Sequence, residues 1–119
     1  MKRRACIAAL AILATVGSAI AEERLGVTVY PGAKYDAGTS NAVKEMMQGE
    51  AACFSTADSV AKVAAFYRKQ GLEPVGDATQ EGAMFRKGPV DVTIQSPWMN
   101  MKSGAMMKDT LVSIVRQKQ

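Results

Sequence analysis

The stretch Phe54-Ser55-Thr56-Ala57-Asp58-Ser59-Val60-Ala61-Lys62-Val63-Ala64-Ala65-Phe66-Tyr67-Arg68-Lys69-Gln70-Gly71 decides the architecture. Val60, Val63, Ala64 and Tyr67 recur at the i, i+3, i+4, i+7 spacing of one helix face, and Phe66 widens that apolar stripe. Lys62, Arg68 and Lys69 fall away from its centre. Ser55 or Thr56 offers a side-chain oxygen to cap a helix starting near Ala57, and Asp58 in its first turn suits the helix dipole. Gly71 can take the left-handed conformation that closes it. A helix with one apolar stripe needs an apolar layer to lie on.

The flanking segments supply that layer as strands. Glu50 to Ser55 reads as one, and Leu25, Val27 and Val29 alternate with polar or small neighbours in another, from Leu25 to Tyr30, which Pro31-Gly32 ends with a turn. Between them, Thr39 or Ser40 can cap a short helix running to about Gln48, with Val43, Met46 and Met47 on one side and Gly49 after it. Ala83–Arg86 and Val90–Gln95 flank Lys87-Gly88-Pro89 as a hairpin. Thr110–Val115 carries Leu111, Val112, Ile114 and Val115 on both faces, as a central strand would. The order predicts an α+β domain: a largely antiparallel sheet of about five strands with one long and one short helix on one face. A β-barrel with a peripheral helix is the alternative. There is no repeat, linker or low-complexity tract.

The run Val29-Tyr30-Pro31-Gly32-Ala33, then Phe54-Ser55-Thr56-Ala57-Asp58-Ser59-Val60 and Val63-Ala64-Ala65-Phe66-Tyr67, resembles a group of small exported bacterial proteins of unknown function. They share a Y-P-G-A turn, an aromatic-x-T-x-D-S helix start and an F-Y pair near the helix end. The resemblance covers about residues 25–70 and implies no catalytic or binding residues. Each position also has a structural explanation as turn, cap or core stripe.

Charge first points to nucleic acid, since 15 Lys and Arg stand against 11 Asp and Glu in 119 residues. Lys2, Arg3 and Arg4, however, open an apolar run from Ala5 to Val16 followed by Gly17, Ser18 and Ala19-Ile20-Ala21, a small-x-small cleavage pattern. Residues 1–21 therefore read as a secretory signal peptide and 22–119 as one small domain that is periplasmic or secreted. The apolar run is shorter than the ~18–20 residues that span a bilayer, and Cys6 lies at its start rather than just after it, where a lipid anchor would attach. Without residues 1–21 three basic residues and no acid are lost, so the formal charge falls from +4 to +1. The remaining basic residues are interspersed with acids, which argues against a nucleic-acid partner.

The chain has no His, which removes Ser-His and Cys-His nucleophile pairs and imidazole metal ligands. No acids fall in a motif that commits them to proton transfer, so a non-catalytic role is expected. Cys53 is the only cysteine after residue 21. It reads as a small core residue, with an intermolecular disulfide, and hence a homodimer, or a thiolate ligand as the sharper options. Tyr30 and Tyr35, near the Pro31-Gly32 turn, can line a small pocket or simply pack.

Methionine is the unusual chemistry. Seven follow Met1, and four of them cluster in Trp98-Met99-Asn100-Met101-Lys102-Ser103-Gly104-Ala105-Met106-Met107. If the strand of Val90, Val92 and Ile94 continues, Trp98 faces the core, Met99 and Met101 share the other face, and Met106 or Met107 folds back across Gly104. Thioethers are soft ligands that suit Cu(I) or Ag(I). Trp98-Met99-Asn100-Met101 resembles locally the Trp-x-x-Met-x-Met segment of the periplasmic copper and silver chaperone of efflux pumps, although the spacing differs and that family's His is missing. The other reading is a contact surface for a periplasmic protein or peptide, formed by Trp98, Met99, Met101 and Met106, because Trp anchors and Met adapts. Met also serves simply as a filler of irregular cores.

Overall fold

The computed structural model describes residues 22–117. The segment read as a signal peptide, 1–21, lies outside the described residues. In chain order the elements are β1 (Glu23–Arg24), β2 (Val27–Thr28), β3 (Lys34–Tyr35), α1 (Ala37–Met47), β4 (Gly49–Thr56), α2 (Val60–Lys69), β5 (Glu73–Pro74), β6 (Gly82–Lys87), β7 (Val90–Gln95), β8 (Trp98–Met99), β9 (Met106–Met107) and β10 (Thr110–Gln117). This is an α+β fold built on an antiparallel sheet ordered β3-β4-β10-β7-β6-β5.

β10 is central, as its two-sided apolar pattern predicts: Val112 and Ile114 lie between Phe54 and Ala52 of β4 on one side and Ile94 and Val92 of β7 on the other. The sheet has six strands rather than five. Its edges, β3 and β5, are two residues each, too short for alternation to reveal them, and Pro74 sits where a missing N–H costs no ladder bond. The segment Leu25–Tyr30 is not one sheet strand. Arg24 pairs with Val27 across a two-residue turn in which Leu25 and Gly26 have φ of 54° and 82°, the left-handed geometry of a type I′ hairpin. A leucine there carries no turn signal, because such residues seldom adopt positive φ.

α2 packs on one face. Its Val60, Val63, Ala64 and Tyr67 bury against Ala52, Phe54, Phe85, Val92, Ile94, Val112 and Ile114; each such large apolar group stabilises the fold by about 1.5–3 kcal/mol. The cap is Ser59, whose side chain accepts from the Lys62 N–H, rather than Ser55 or Thr56, which belong to the longer β4. Thr56 instead accepts from the Asp58 N–H and shapes the entry. Gly71 adopts φ of 84° and Leu72 donates back to the Tyr67 carbonyl, closing the helix as expected.

α1 is capped by Asp36, which accepts from the Thr39 N–H at 2.9 Å. The helix therefore starts earlier than Thr39 or Ser40 would allow and matches α2 in length, so the long-and-short contrast disappears. Ser40 is buried instead. Its hydroxyl accepts from the Cys53 N–H at 2.7 Å and donates to the Asp36 carbonyl at 2.7 Å, closing the edge of β4 beyond β3. From that edge α1 lays Val43 against Cys53, Leu111, Trp98 and Met107, a second small core on the face opposite α2. The helices thus serve opposite sides rather than one face, because alternation along β4 and β10 sends Cys53 and Leu111 away from α2. Among the described residues no helix is long and apolar enough to cross a membrane.

Candidate functional site: a methionine hairpin

The Met-rich segment is a separate two-stranded hairpin. Met106 stands opposite Met99, and Met107 opposite Trp98. Asn100 donates its N–H to the Ala105 carbonyl at 2.8 Å, so the next pair outward, Met99–Met106, falls at the position where facing side chains come closest in an antiparallel ladder. The tip is set by Asn100. Its side-chain oxygen accepts from the N–H groups of Lys102 and Ser103 at 2.9 and 3.2 Å, and its carbonyl accepts from Gly104 at 2.7 Å. This arrangement is an Asx-type turn. Gly104 supplies the positive φ the return requires, 77°.

The hairpin is anchored from its inner face. Trp98 is only 2% exposed and packs with Cys53 and Leu111, while its indole N–H donates to Asp109 at 2.8 Å. Trp98 is therefore an anchor for the hairpin and not part of its exposed surface, contrary to the contact role read for it from sequence. Met107, on the same inner face, is half-buried against this cluster. At the tip, the stem of Lys102 lies over Gly38 in the first turn of α1, where an added Cβ would come within 3.2 Å of the Lys102 Cβ and Cδ. Asn100, Gly38 and Asp109 thus position the site; the sequence signals were an Asn-x-x-x-Gly turn and a helix glycine, both silent about partners.

Outside, Met99, Met101 and Met106 are 52%, 46% and 57% exposed. The grouping differs from the sequence reading in one respect. The strand stops at Met99, so Met101 enters the turn, and the thioether beside Met99 belongs to Met106 across the hairpin. Of the four candidate metal ligands, Met99 and Met106 are brought together, Met101 sits at the tip, and Met107 lies behind with Trp98. Alternation also places the Trp98 ring on the side away from the Met99–Met106 pair, unlike a ring that caps a thioether-bound ion. Among the described residues no three His, Cys, Asp or Glu side chains gather into a metal-holding group.

The other singled-out residues are structural neighbours. Cys53 is fully buried, and its thiol donates to the Ser113 hydroxyl at 3.5 Å. Burial pushes that thiol above its ordinary pKa, outweighing the hydrogen bonds to Ser113 and Ser40. Tyr30 and Tyr35 part company: Tyr35 is exposed beneath Arg24, whose guanidinium lies 4.9 Å from its ring. Tyr30 is buried, meets Phe66 edge to face at 5.3 Å, and donates its hydroxyl to Asp58 at 2.5 Å. The Y-P-G-A turn and the D-S helix start are thereby joined. Comparison of the chain with protein-family models, with curated proteins and with solved structures gives no match.

Proposed function

We propose that this is an exported, non-catalytic accessory protein that recognises a periplasmic protein or peptide through the outer face of the methionine hairpin. The observation that supports this reading is the concentration of exposed apolar side chains there: Met99, Met101 and Met106 project from a tip that Asn100 and Trp98 hold in place. Flexible thioether side chains on a fixed platform adapt to apolar partners. The export reading rests on residues 1–21, and the non-catalytic reading on a sequence without His.

A second reading, a Cu(I)- or Ag(I)-binding protein, is favoured by one observation of its own. Met99 and Met106 face each other across the ladder, so two soft ligands already stand side by side. Replacing Met99 and Met106 by Leu separates the readings, because Leu keeps apolar volume and cannot ligate. Recognition of an apolar peptide partner survives the double change, whereas Cu(I) retention in anaerobic competition with a chelator does not. Wild-type protein that takes no Cu(I) from the chelator eliminates the metal reading. Loss of partner capture on changing Met99 and Met106 to Lys, without a change in fold, supports the contact surface; unchanged capture overturns it.

A further inference from the structure

A groove runs along the outer flank of α2, on the side of the molecule away from the methionine hairpin's inner core. Its volume is about 510 Å³, and its apolar lining is Pro31, Ala65 and Phe66. The wall is the Tyr30–Asp58 pair, in which the phenol and one carboxylate oxygen satisfy each other. Lys62 and Lys69 also line it, about one helical turn before Ala65 and one after Phe66. Residues 62, 65, 66 and 69 share one helical flank, and seven residues of helix separate the two lysines by roughly 10 Å. Among the described residues neither lysine makes an ion pair.

We propose that this groove binds a small anionic amphiphile, an apolar body about 10 Å long carrying a carboxylate. The argument is one of complementarity. Binding sites for small molecules are largely apolar clefts of about 300–1,000 Å³ with a few convergent polar groups, and this groove pairs an apolar lining with two lysines that make no ion pair and one acid, Asp58, whose charge the Tyr30 hydrogen bond leaves in place, so that cations outnumber acids two to one. The lysine stems extend the apolar lining, and the ammonium group of one of them meets the ligand's carboxylate while the body lies along the groove. A neutral ligand leaves both cations unused, and a cationic one meets them unfavourably. The inference is independent of the methionine hairpin.

The test uses the mature chain labelled for amide NMR, with octanoate as probe and octanol and octylammonium as neutral and cationic counterparts of the same length. Octanoate is expected to shift the amides of Asp58, Lys62, Ala65, Phe66 and Lys69, with octanol weaker and octylammonium without effect. Lys62→Glu with Lys69→Glu, both at exposed positions where the fold is insensitive, is expected to weaken octanoate by about tenfold, as replacing an exposed attraction by repulsion at the carboxylate should. Equal binding of octanol, octanoate shifts elsewhere on the chain, or a double variant that binds as well as wild type overturns the proposal.

Discussion

The indole N–H of Trp98 donates to Asp109 at 2.8 Å, tying the first strand of the methionine hairpin to the residue just before the central strand β10. Trp98 is 2% exposed among Cys53, Leu111, Val43 and Met107 and is the largest side chain of the second core. Trp98→Ala is expected to cost about 3–5 kcal/mol of stability through the cavity it leaves. Asp109→Ala keeps the ring and strands its N–H, costing about 1–3 kcal/mol. Urea unfolding followed by the fluorescence of Trp98, the sole tryptophan, checks the Asp109 variant; far-UV circular dichroism checks the Ala variant. An Asp109→Ala protein as stable as wild type would show that the hydrogen bond contributes nothing.

The sequence displayed what repeats along the chain and hid what depends on a single cap or turn. The stripe Val60-Val63-Ala64-Tyr67 and the alternation of Val90, Val92 and Ile94 are summed over many residues, and each lands in the core as read. Helix starts hinge on one side chain, and several oxygens compete for the role: Asp36 takes it from Thr39, and Ser59 from Ser55. The partition of the site was hidden for a similar reason. Whether Met101 or Met106 stands beside Met99 depends on where the strand stops, and Asn100 stops it by capturing two N–H groups two and three residues on. The side of the sheet that each helix covers followed from the parity of Cys53, a residue whose hydrophobic character did not announce a second core.

The contact of Lys102 with Gly38 makes the hairpin tip sensitive to α1. Gly38→Ala raises helix propensity by about 1 kcal/mol, yet its new methyl meets the Lys102 Cβ and Cδ at 3.2 Å. The expected result is little net change in stability together with a displaced tip, read as amide shifts over Met101–Gly104. If the tip amides stay in place, Lys102 is not held against α1. Pairing the change with Lys102→Ala should restore the wild-type tip shifts outside residue 102 and let the propensity gain appear.

Cys53 supplies a chemical probe of the same region. Its thiol is fully buried and raised above its ordinary pKa by burial, so little thiolate is exposed to a reagent. A disulfide reagent at pH 8 is expected to modify the native protein only at the rate of unfolding and the denatured protein at once. Non-reducing electrophoresis should show monomer, since a thiol enclosed by Ser113, Ser40 and the Trp98 cluster cannot meet another chain. Ser40→Ala is expected to cost about 1–3 kcal/mol, because the buried Cys53 N–H then has no acceptor. A native thiol that reacts immediately would contradict this enclosed position.

The pair Tyr30–Asp58 predicts an alkaline limit to stability. Burial, then the hydrogen bond to Asp58 and the repulsion between a phenolate and that carboxylate, push the Tyr30 phenol from 10.0 up to about 12. The unfolded chain loses this proton near pH 10 while the folded chain still holds it, so the unfolded state binds fewer protons and stability falls as pH rises. The contribution is whole below about pH 10 and is lost progressively up to about pH 12. Tyr30→Phe removes the titrating group, so between pH 9 and 11 its urea midpoint should decline less than that of wild type, although it starts lower for want of the bond to Asp58. Asp58→Asn should lower the Tyr30 pKa and leave it above 10, because burial, the largest cause, remains. Parallel declines in wild type and Tyr30→Phe would assign the alkaline loss to other groups and leave the Tyr30 proton without a role in it.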